Sequence, residues 1–106
     1  MPKLKEMIIL NIASEVKIGY KNYKVNMVDG DVVDNNSVCY GNIKFDEGNI
    51  NISKLYSKDQ QECTLIHECL HGIDEIVEAG LNEEQIRKLG KGLYAFIKDN
   101  PDMFKS

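Results

Sequence analysis

Residues 58–79 read KDQQECTLIHECLHGIDEIVEA, and the spacing of their apolar side chains decides the second half of the fold. Cys63, Ile66, Leu70, Ile73 and Val77 recur at steps of three and four, which places them along one side of an α-helix. The expected helix runs from about Lys58 to Ala79, with Gly80 as its stop. A second helix opens at once. Asn82 is a good N-cap, and Gln85, three residues on, completes a capping box. Ile86, Leu89, Leu93, Phe96 and Ile97 give this helix its apolar positions. Asn100-Pro101 ends it, because a residue before proline is pushed out of the helical region.

Upstream of Ser53 the period changes to two. Val16 and Ile18 alternate with lysines, and Tyr23, Val25 and Met27 alternate with Lys24 and Asn26, the pattern of half-buried strands. Gly19 between the two runs suggests a hairpin. Asp29-Gly30-Asp31 marks a turn, and Asp34-Asn35-Asn36-Ser37 marks a polar loop. Ile43-x-Phe45, Asp46-Glu47-Gly48-Asn49 and Ile50-x-Ile52 read as another hairpin. The expectation is an α+β domain: a small antiparallel sheet of three to four strands packed on two C-terminal helices. The first eleven residues fit a short helix or an added edge strand equally well.

At 106 residues, with 42% hydrophobic and 28% charged side chains, the chain suits one globular domain, residues 1–106, with a modest core. Its net charge is −4 and its lysines are scattered, so no basic stripe for a row of phosphates is formed and nucleic acid is not an expected partner. The three cysteines have no paired spacing, unlike a disulfide framework. The apolar run Met7–Leu10 is too short for a signal peptide or a membrane span. A cytoplasmic protein without a membrane partner is expected.

Within the first helix lies His67-Glu68-Cys69-Leu70-His71. Two histidines four residues apart project from one helical face, about 6 Å apart along the axis. Both imidazoles then reach a single tetrahedral zinc at about 2.0–2.1 Å. Glu68 flanks that metal without binding it, placed to take a proton from a zinc-bound water as it attacks a carbonyl. Leu65, Ile66 and Leu70 supply an apolar surround, and the two histidines of the motif are the chain's whole complement. The pattern points to a Zn2+-dependent hydrolase of the peptidase type, with a protein or peptide as substrate.

A catalytic zinc takes a third protein ligand and keeps a fourth position open. The metzincin arrangement fails, since Val77 stands where its third histidine would be. Cys63 and Glu75 each lie eight residues from the farther histidine, about 12 Å of helix rise, too far for one ion. Asp74 is a candidate for orienting His71. The gluzincin solution is a glutamate from the following helix, which leaves Glu83 and Glu84. At 100° per residue Glu83 turns toward the face of Ile86, Gly90 and Leu93, whereas Glu84 matches the Glu-x-Ile spacing of thermolysin-like ligand helices. Both remain candidates. Tyr94 and Tyr40 are candidate donors to an oxyanion. The strand Val38–Phe45 is a candidate edge for an extended peptide. Cys69 faces away from the histidines and reads as packing.

The stretch Ile50–Phe104 resembles a family of small phage- and prophage-encoded zinc peptidases, related loosely to the ImmA/IrrE and SprT-like groups. The residues that carry the likeness are Thr64-Leu65-Ile66-His67-Glu68-x-Leu70-His71-Gly72-Ile73 and Gly80-Leu81-x-Glu83-Glu84-Gln85-Ile86. Gly92-Leu93-Tyr94 and Lys98-Asp99-Asn100-Pro101 extend it. With Glu15–Ile18 and Tyr23–Val25, similar to the family's opening strands, the likeness spans about four-fifths of the chain. It implies a minimal zincin-like fold and a metallopeptidase-type site. The chain lacks the Glu-Ala-Asn ligand segment of the ImmA/IrrE group. Against an active peptidase stand two other readings: a catalytically silent zincin-fold module that grips a host or regulatory protein, and a helical interaction protein that holds no metal.

Overall fold

The computed structural model describes residues 12–104; the residues read as a short helix or edge strand lie outside that range. Strands β1 (Glu15–Ile18) and β2 (Lys21–Val28) form the first hairpin, turning at Gly19, whose φ is 63°. β3 (Val32–Asp34) and β4 (Ser37–Cys39) form a separate two-stranded sheet. Asn35 and Asn36 join them with φ of 52° and 64°, the left-handed pair that a two-residue type I′ hairpin turn requires. β5 (Gly41–Lys44) and β6 (Asn49–Ser53) make the third hairpin.

The main sheet has the order β1-β2-β6-β5. Its two outer pairings are antiparallel, as the hairpins predict, but β2 and β6 pair in parallel from Lys24↔Asn49 to Val28↔Ser53. The sheet is therefore mixed rather than purely antiparallel. Each hairpin fixes only its own two strands, and residues 29–48 between β2 and β6 are enough chain for the crossover that a parallel pair needs.

Ile50 and Ile52 alternate to one face of β6 with no exposed surface, and with Ile18, Tyr23, Val25 and Leu65 they form the core. On the opposite face Asn51 accepts from Asn26 and donates to Asn42, an amide ladder across three strands.

Helix α1 (Lys58–Val77) lies on the apolar face of the sheet. Ser57 caps it by accepting the Gln60 N–H at 3.1 Å. The stripe that revealed the helix is not the one that meets the sheet. Leu65, Cys69 and Ile76 do so, with Gly72 at the closest approach, where a Cβ would stand 2.8 Å from Ile18 Cδ1. Of the stripe read from the sequence, Leu70 turns toward α2, while Ile73 and Val77 are exposed. The helix stops two residues earlier than expected, because Glu78 takes a left-handed conformation at φ 55°.

Helix α2 (Glu83–Asp99) packs back against α1 through Ile86 and Gly90, starting from the expected Asn82–Gln85 capping box. A one-turn 3-10 helix, Pro101–Met103, follows. The arrangement is an α+β fold of strands packed on two C-terminal helices. Among the described residues no helix is long and apolar enough to cross a membrane.

Candidate metal centre

His67 and His71 occupy successive turns of α1, with ring centroids 5.0 Å apart. Their Nε2 atoms converge on one side chain from α2: Glu83 Oε2 lies 2.9 Å from His67 and Glu83 Oε1 lies 2.9 Å from His71. Glu83 reaches them because α2 returns antiparallel across α1. The helices meet at Gly90, which is buried and packs beside His67 and Leu70. Both imidazoles are largely covered, at 22% and 26% side-chain exposure, whereas Glu83 is 68% exposed. Burial holds the His67 pKa below its ordinary value, and the Glu83 carboxylate acts against that shift.

The donor set suits a divalent ion. One ligand atom from each of His67, His71 and Glu83 can be chosen so that all lie within 4.8 Å of one another. Tetrahedral zinc with ligands at about 2.0–2.1 Å would separate neighbouring donor atoms by about 3.3 Å. The 2.9 Å contacts of each Nε2 with a Glu83 oxygen are close to that spacing. Both contacts join an imidazole Nε2 to a carboxylate oxygen, the atoms through which histidine and glutamate ligate zinc.

Glu68 lies beside this group at 6% exposure. Burial, followed by the neighbouring Glu83 and Asp34 charges, pushes its pKa up to about 8. Its carboxylate makes no hydrogen bond to the described residues and opens onto the cleft. All four side chains border a cleft of about 770 Å³ between α1, the N-terminal half of α2, strand β5 and the β3–β4 hairpin.

The other candidates separate clearly. Glu84 does not border the cleft; it pairs with Arg87 at 3.4 Å and with Lys88 at 3.2 Å. Asp74 does not orient His71; its Oδ1 accepts the Leu81 N–H at 3.0 Å. Tyr94 is not at the cleft, because its hydroxyl donates to Glu62 at 2.9 Å, tying the far ends of the two helices together. Tyr40 does border the cleft, its ring edge-on to Tyr56 at 4.6 Å. Cys63 borders it too, with its thiol pKa raised by burial. Cys69 packs on the core, and burial pushes its pKa up to about 11. Glu75, one turn beyond His71, is exposed and does not border the cleft.

β5 is an edge strand of the main sheet, and Gly41, Asn42 and Ile43 line the cleft. Three cleft residues carry charge that the sequence reading passed over: Asp34, Arg87 and Lys91. The signal for the last two was their spacing, since they follow Glu83 by four and eight residues and so share its face. In comparisons with protein-family models, curated proteins and solved structures, nothing matches this chain.

Proposed function

We propose that this protein is a zinc-dependent peptidase, gluzincin-like in its ligand set, with His67, His71 and Glu83 as the metal ligands and Glu68 as the proton carrier. The observation that carries this reading is the meeting of both Nε2 atoms with the two Glu83 oxygens, beside a buried and unpartnered Glu68. A purely structural metal site has no need of that fourth side chain. The likeness to small phage zinc peptidases rests on the same motif residues and agrees with a third ligand from the second helix.

Zinc, when bound, would supply Lewis acidity to polarise a carbonyl and acidify a water. The protein's own groups do the rest. The two imidazoles and Glu83 leave the solvent side of the site open for substrate. Glu68 accepts a proton from the attacking water and returns it to the departing amine. A cation held by the histidines would favour the ionised form of Glu68 that this role requires, against the effect of burial. β5 offers unpaired backbone groups along the cleft, to which an extended peptide can add as a further strand.

The test is elemental analysis of the purified protein beside His67→Ala, then peptide-library cleavage beside Glu68→Gln. Near-stoichiometric zinc that disappears in His67→Ala, with cleavage that disappears in Glu68→Gln while zinc is retained, is expected. Zinc without cleavage of any library would favour the silent binding module. No metal, even when zinc is supplied, would overturn the hydrolase reading.

A further inference from the structure

Along the cleft, α2 presents a line of charge. Glu83, Arg87 and Lys91 are spaced so that they follow one another up a single helical face, and all three border the cleft. Glu83 is engaged by the histidines. Arg87 is near enough to His67 to act on its imidazole, and Lys91 near enough to Cys63 to act on its thiol. Cys63 precedes His67 by one turn on α1, so the two cations lead away from the histidines in one direction.

The surroundings leave these cations largely uncompensated. Arg87 meets Glu84 through one nitrogen at 3.4 Å, with side-chain exposures of 48% and 61%, a contact that water screens heavily. Lys91 has no ion-pair partner among the described residues. The facing wall, Gln60, Cys63 and Thr64, carries no anion. The cleft's acids, Asp34, Glu68 and Glu83, gather at the histidine end, and Asp34 is itself paired with Lys44 at 3.4 Å. In a chain of net charge −4, two cations directed along a cleft run against the overall balance.

We propose that Arg87 and Lys91 form a carboxylate-binding subsite, selecting substrates that carry a negative charge beside the bond presented to His67, His71 and Glu83. This rests on the peptidase reading and gives it a substrate class. A guanidinium fork can take a carboxylate by two hydrogen bonds, and the ammonium adds a point charge. The carboxylate can belong to an internal aspartate or glutamate or to a free C-terminus; the chemistry is shared.

The test reads binding rather than turnover. The Glu68→Gln protein is titrated, by chemical-shift perturbation, with three alanine tetrapeptides: one blocked at both ends, one blocked with an internal glutamate, and one with a free C-terminal carboxylate. At low salt at least one anionic peptide should bind about tenfold tighter than the neutral one. That margin should vanish in the Arg87→Gln/Lys91→Gln double variant and in about 0.5 M salt. Both side chains are exposed, so the variant's melting curve should match its parent's. Which anionic peptide wins identifies the source of the charge. Equal binding of all three, binding of none, or a preference that survives the double variant overturns the subsite. If the preference holds while wild-type protein with zinc cleaves nothing, the peptidase reading fails and the subsite stands as a ligand site.

Discussion

The Asp74 carboxylate accepts the Leu81 backbone N–H at 3.0 Å across the turn that joins the two helices. Asp74 follows His71 by less than one helical turn, and Leu81 precedes Glu83 by two residues. One hydrogen bond thus links the segment carrying a histidine to the segment carrying the glutamate it meets. Asp74→Ala should cost about 1–2 kcal/mol of stability, measured by urea unfolding, and about tenfold in zinc affinity, measured by chelator competition. Asp74→Asn keeps an acceptor oxygen and should restore most of both. Loss of stability with unchanged affinity would show that Glu83 is positioned without this bond.

Glu83 and Glu84 are neighbours with opposite expectations. Glu83→Gln removes the charged group that both histidines contact and should weaken zinc binding by about 100-fold. Glu84→Gln disturbs only exposed contacts with Arg87 and Lys88 and should leave affinity within twofold (about 0.4 kcal/mol). Calorimetric zinc titrations of the two variants settle the pair; equal losses would refute the assignment.

Sequence reasoning had stopped short of that choice for a physical reason. Hairpins, caps and helix ends follow from chemistry within a few residues, and so Gly19, Asn82, Gln85 and Pro101 were readable. The direction of Glu83 depends on how α2 crosses α1, and the crossing depends on distant contacts such as Gly90 against His67. For the same reason the parallel pairing of β2 with β6 left no mark in either strand. The α1 stripe misled in part because the helix has sheet on one side and α2 on another. Small or polar residues such as Thr64, Glu68 and Gly72 are buried there with no hydrophobic signature. His67, Glu68 and His71 were legible because their spacing alone fixes their geometry.

Two glycines should respond in opposite ways to alanine. A Cβ on Gly41 would stand 2.6 Å from Asn51 O and 2.7 Å from Thr64 Cγ2, where β5 passes under α1. Gly41→Ala should cost about 1–3 kcal/mol and lower the melting temperature. Gly92, within α2, has nothing within 4 Å of such a Cβ. Gly92→Ala should raise stability by about 0.5–1 kcal/mol by restricting the unfolded chain. Differential scanning calorimetry of both variants checks the contrast, and a stabilised Gly41→Ala would contradict the packing described.

Asp59, in the first turn of α1, accepts from Lys98 Nζ at 2.8 Å, and the Tyr94 hydroxyl that donates to Glu62 lies 3.2 Å from it. The Lys98 hydrogen bond is the main cause of its pKa lying below the ordinary 3.8. A lowered folded-state pKa means that the native protein binds this proton less readily than the unfolded chain does. The contribution is therefore fully present above pH 3.8 and disappears as pH falls through the depressed value. Asp59→Asn should flatten that acid limb of the stability curve without altering the neutral region's slope. Urea midpoints measured from pH 2 to pH 6 (roughly the span over which carboxylates titrate) would show it; parallel curves for parent and variant would count against the tie.

The parallel register of β2 with β6 also sets a timetable. Each hairpin can close on contacts a few residues apart, but the seam between them joins Lys24 to Asn49, about twenty-five positions along the chain. Closing that loop costs entropy before any strand contact repays it, so distant pairings of this kind slow folding relative to local ones. The hairpins, by contrast, need only short loops to close. Of the three pairings in the main sheet, the β2–β6 seam is the one whose closure spans the most chain.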